Sequence, residues 1–264
     1  MKQTAKKHIY PILHQKIKTI QTNLGLWKPA SWLFYWGIVP LILTIVWSLP
    51  PDIKYGHFIL DTTSPHWTSI ILSSYTHSDI SHISNNIGLY LLAMAMIFTC
   101  CKNPKLLHYS SLILFIFVPL FTSVVTMQLS VNLGIPLYSQ GFSAVAYSFT
   151  ALGLYTFFSL VMPGMPPLPF ESGSSHPYPK RDILALSLIL ITIVLVLAHG
   201  LSAGGIVTNS GGFVNGPAHV IGFFSGIITV SLLDIRLNTN NVRIDYLFIL
   251  FSTTMIIPYI LMLE

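Results

Sequence analysis

The chain has 264 residues, 53% of them hydrophobic and only 8% charged, with a mean hydropathy of +0.69. A soluble domain of this size carries about a quarter charged residues, so water is not the solvent for most of this surface. The net charge of +5 sits at the ends of apolar stretches, where it reads as a membrane-topology signal and not as a nucleic-acid footprint.

A basic segment, residues 1–30, precedes a membrane domain over 31–264. Within it Ile9, Leu13, Ile17, Ile20 and Leu24 form an apolar stripe among lysines, which predicts an interfacial helix; a solvated tail is the alternative. The first apolar run begins only near residue 31, so no cleavable leader is expected. A charge at the bilayer centre costs roughly 2.5–3.5 kcal/mol even on the lenient insertion scale. Stretches without Asp, Glu, Lys or Arg therefore mark spans, and they run over 29–51, 80–101, 106–170, 183–233 and 246–263. One span needs about 20 apolar residues, so the gaps at 106–170 and 183–233 each hold two, divided by loops at Gln128–Gln140 and Gly200–Gly216. Seven helices are predicted, near 31–50, 83–101, 108–127, 142–162, 183–200, 217–233 and 245–263. Met162–Pro179, rich in Pro, Gly and Ser, reads as a loop. Cys100 and Cys101 are adjacent and cannot staple distant elements together.

Orientation follows from the basic residues. With seven spans, 12 of the 13 Lys and Arg fall on one side and Lys54 alone on the other. The positive-inside rule then predicts a cytoplasmic N-terminus and an external C-terminus.

Polar groups inside a membrane helix are costly unless paired, which makes each a functional candidate. Span two opens with His82-Ile-Ser-Asn-Asn86, span four with Gly141-Phe-Ser143-Ala-Val-Ala-Tyr147, and span six with Asn215-Gly-Pro-Ala-His219 followed by Gly222 and Gly226. His82 and Asn86 share one helix face by their spacing, as do Ser143 and Tyr147. Even-numbered spans all run inward, so the three motifs lie at one depth beneath the outer surface. A serine hydroxyl becomes a nucleophile when a neighbouring base takes its proton, and His219 is the candidate base. Gly222-x-x-x-Gly226 offers a bare face for close helix approach, matched by Ala144, Ser148 and Ala151. His82 and Asn86 are candidate donors to a developing oxyanion. No membrane-embedded acid is available for a triad, so a Ser–His dyad is expected. His77 and His82, five apart, would diverge on a helix, and no metal site or other cofactor is expected.

At these residues the sequence resembles the rhomboid family of intramembrane serine proteases. The resemblance rests on His77-(x)4-His82-(x)3-Asn86, on Gly141-Phe142-Ser143-Ala144, and on Ala218-His219-(x)2-Gly222-(x)3-Gly226. It implies a six-helix bundle with one added C-terminal span. Ser143 would be the nucleophile and His219 the base, with His82, Asn86 and the Ser143 amide as the oxyanion site. Tyr147 would stack on His219, while His77 would cap the cavity from the loop side and help order water. The loop Pro51–Asp79, with Phe58, Trp67 and Tyr75, would lie in the outer interface. Ala144 departs from the glycine commoner in the family after the serine. The expected partners are single-span membrane proteins, cleaved near the outward face, and the lipid bilayer; nucleic acid is not among them. The competing readings are a catalytically silent rhomboid-like protein that binds membrane clients, and a transporter.

Overall fold

The computed structural model describes residues 2–161 and 216–239. The expected fifth and seventh spans and the Met162–Pro179 loop lie outside the described residues. Helices run over Lys2–Gly25 (α1), Pro29–Trp47 (α2), Pro51–His57 (α3), Trp67–Leu72 (α4), Ile80–Cys100 (α5), Pro104–Leu133 (α6), Ser143–Val161 (α7) and Gly216–Thr239 (α8). A two-residue antiparallel pair joins Leu60–Asp61 (β1) to Tyr138–Ser139 (β2), with Leu60 opposite Ser139. α2, α5, α6 and α7 are each long and apolar enough to cross a membrane. Mostly helical, and with four such helices among the described residues, the chain is built as an all-α membrane protein.

α7 is central: it packs most extensively on α8 and α5 and also touches α6. The α5–α7 seam is filled by Tyr90, Met94 and Ile97 against Val145, Phe149 and Leu152, all essentially inaccessible. Gly153 lets the two backbones close up, since a Cβ there would meet the Ala93 carbonyl at 3.2 Å. Lipid tails are as apolar as leucine, so such contacts hold the bundle by packing density more than by a hydrophobic drive.

The N-terminal segment is helical over α1, and the C-terminal half of that helix and the residues after it are tied to the bundle by polar side chains. Asn23 Nδ2 donates to the Thr99 carbonyl at 3.0 Å, and Trp27 Nε1, just past α1, donates to the Phe98 carbonyl at 2.9 Å. Lys16 Nζ donates to the Leu160 carbonyl. All three acceptors lie in last turns, where helix carbonyls lack intrahelical partners.

α6 is longer than the sequence suggested. Residues 128–133, expected in a loop, continue the helix, because Gln128, Ser130 and Asn132 are polar without breaking it. Gly134, left-handed at φ 65°, ends it. Pro119 lies inside α6, and its ring removes the N–H that would bond the Phe115 carbonyl. Tyr75, from the preceding loop, donates its hydroxyl to that freed carbonyl. Of the three aromatics expected at the interface, Trp67 is 71% exposed, whereas Tyr75 turns inward against Phe142 at 5.9 Å between ring centres. The proline supplies the acceptor that draws it in.

Candidate active site

The site is assembled from three short segments. The first is the start of α5. Asp79 caps this helix: its carboxylate accepts from the His82 amide at 2.8 Å, from Ser81 Oγ at 2.6 Å and from Ser78 Oγ at 2.7 Å. These hydrogen bonds hold the Asp79 carboxyl well below the usual carboxylate range. The cap fixes the first turn and thereby aims His82 and, one turn on, Asn86.

The second segment leads into α7. Gly141 has φ +125°, a conformation open to glycine and strained for other residues. A Cβ at Gly141 would lie 2.7 Å from His82 Cε1 and 2.8 Å from His82 Nε2. The imidazole edge of His82 therefore rests directly on the glycine backbone, with the Asn86 amide nitrogen 3.9 Å from the same point. The Gly141 amide donates to the Ser73 carbonyl at 3.0 Å, and Phe142 is wholly buried among Tyr75, Tyr90 and Phe115. Ser143 is the first residue of α7. The earliest intrahelical bond runs from the Ala146 amide to the Phe142 carbonyl, so the helix itself does not consume the Ser143 amide.

The third segment is the start of α8. His219 stacks face to face on Tyr147, with ring centres 4.6 Å apart and planes at 12°. One turn on, a Cβ at Gly222 would fall 2.0 Å from the Ala144 carbonyl oxygen, and one at Gly226 would fall 2.3 Å from that of Ser148. Only glycine allows this approach, and the opposing residues are Ala144, Ser148 and Ala151. The Tyr147–His219 stack and the Gly222–Ala144 contact put the first turns of α7 and α8 side by side. Ser143 is 9% exposed and His219 8%, so both are shielded.

His77 is completely buried. Its Nε2 lies 3.3 Å from the Phe142 amide and 3.0 Å from Asn86 Nδ2, between the approach to α5 and the turn before α7. One expectation needs correction: His77 and His82 do not diverge. α5 begins at Ile80, so helical spacing does not apply to His77, and the rings meet edge to face at 5.0 Å. Among the described residues no group of three or more His, Cys, Asp or Glu side chains is arranged to hold a metal. The cap on α5 is a site feature that the sequence analysis does not single out, although Asp79, three residues before His82, is a recognisable helix-start signal. The Tyr75–Phe115 link was readable only from the position of Pro119.

Compared with protein-family models, curated proteins and solved structures, the chain matches none.

Proposed function

We propose that this protein is an intramembrane serine endopeptidase of rhomboid type, cleaving single-span membrane proteins near the outward face. The observation that carries the reading is the Tyr147–His219 stack beside the Gly222–Ala144 contact, which brings the imidazole to the end of α7 that begins with Ser143. In the proposed mechanism Ser143 Oγ attacks the scissile carbonyl while His219 takes its proton and later returns it to the leaving amine. Negative charge on the carbonyl oxygen is met by the Ser143 amide, the Asn86 amide and His82, each good donor contributing roughly 3–4 kcal/mol. Water then hydrolyses the acyl-serine with His219 again as base. An outward-facing site fits the proposed topology, in which the basic N-terminus is cytoplasmic.

The test is cleavage of a labelled single-span substrate in liposomes by wild type, Ser143→Ala and His219→Ala. Activity abolished by both substitutions supports the dyad. Activity surviving Ser143→Ala removes the nucleophile. A wild type that binds but never cleaves a varied substrate panel makes the protein a client-binding pseudoprotease.

A further inference from the structure

We propose that His77 is a positioning residue of this site: its single acceptor nitrogen, Nε2, pins both the backbone leading into Ser143 and the side-chain amide of Asn86, and so sets the geometry of the oxyanion donors. The proposal rests on the proteolytic reading above and concerns how that site is held.

A backbone amide can only donate, so the Phe142 N–H at 3.3 Å requires Nε2 to be without a proton. The Asn86 NH2 group, 3.0 Å away, then donates to the same nitrogen. With Nε2 committed, the ring proton of neutral His77 sits on Nδ1, which is buried and has no hydrogen-bond partner among the described residues. A buried donor without a partner is uncommon and asks for a reason. A group that needed only to fill space there would be apolar. An imidazole kept at the cost of one orphaned N–H is being used for its other nitrogen.

That nitrogen acts on two donors at once. Holding Phe142 N–H fixes the peptide one residue before Ser143, in a turn already constrained by Gly141. Holding one N–H of Asn86 leaves the second for another acceptor. Both effects converge on the donors assigned to the oxyanion, and neither requires His77 to touch substrate. Burial pushes the His77 imidazole down to about 3, with His82 adding to the shift, so the acceptor form is kept across the physiological range.

The experiment compares wild type, His77→Leu and His77→Gln in liposomes. Leu fills the volume without an acceptor, while the Gln amide oxygen restores one. Cleavage kinetics are measured together with inhibition by a substrate-derived peptide aldehyde, whose hemiacetal oxygen occupies the oxyanion position. The expected result is a roughly 10- to 100-fold lower kcat for His77→Leu with KM little changed. Aldehyde affinity should weaken in parallel, and His77→Gln should recover most of both. Equal kcat in Leu and wild type, or equal loss in Leu and Gln, overturns the proposal. A protonated Nε2 in the nitrogen-15 spectrum of histidine-labelled wild type, assigned through His77→Gln, overturns it too, and that reading does not depend on any variant being active. A wild type without activity defeats the proteolytic reading itself and is thereby distinguished from failure of the His77 role.

Discussion

At the scale of single residues, the arrangement of the candidate dyad depends on what each side chain cannot be exchanged for. Tyr147 supports His219 with a flat ring 4.6 Å away, and such aromatic pairs contribute about 0.5–1.5 kcal/mol beyond burial. Tyr147→Phe keeps the ring and should leave kcat within about twofold, whereas Tyr147→Ala should lower it about tenfold by freeing the imidazole. Liposome cleavage kinetics check both; an inactive Phe variant would show that the hydroxyl, not the ring, matters. Gly141 is constrained twice, by φ +125° and by the His82 edge within 2.8 Å of any added Cβ. The backbone strain of Gly141→Ala alone costs about 1–3 kcal/mol. Thermal unfolding should register that loss, together with a fall in cleavage as His82 is pushed aside.

At the scale of elements, two contacts set the position of α7. The first is its backbone approach to α8. Gly222→Ala would drive a methyl group into the Ala144 carbonyl, with no flexible neighbour to yield, so the helices must separate. The expected outcome is loss of both thermal stability and cleavage, and greater than for Gly153→Ala, where the nearest backbone atom is 3.2 Å away. The second contact is the Tyr75 hydroxyl on the carbonyl that Pro119 leaves free. Removing one such bond typically costs about 1 kcal/mol. Tyr75→Phe should show that loss in the wild type and much less of it in a Pro119→Ala background, where the helix can use the carbonyl itself. A double-mutant cycle of unfolding midpoints checks this, and strictly additive effects would refute the link. This is also where legibility in the sequence divides. The helices, the α7–α8 seam and the small residues facing Gly222 and Gly226 follow from apolar runs and spacing, because periodicity constrains both. His77 and Tyr75 were misplaced because they lie in a non-helical approach, where no period says which way a side chain turns. Only tertiary partners, the Phe142 amide and the Phe115 carbonyl, decide it.

At the scale of the whole molecule, the buried neutral histidine couples the site to global stability through pH. Folded His77 titrates near 3, because burial opposes its charge and His82 beside it opposes it further, while Asp79 acts weakly the other way. Its unfolded value is about 6.5. Between those limits the unfolded chain binds a proton that the folded chain does not, so stability falls as pH falls through that window and is fully present above it. The slope from this one group is at most about 1.4 kcal/mol per pH unit. Asp79 acts in the same direction but lower: its carboxyl is depressed by the α5 cap, so its contribution is present above about 4 and lost only below that. Equilibrium unfolding in bicelles from pH 7.5 to 4.5 should therefore show wild-type stability declining with acid. His77→Gln should flatten the decline below about pH 6.5, while Asp79→Ala should leave the slope unchanged across this range and cost stability at every pH through the lost cap. A His77→Gln profile parallel to wild type would mean that the histidine is not held neutral in the folded state. The hydrogen-bond clamp on Phe142 and Asn86 would then lose its physical basis, whatever the catalytic rates.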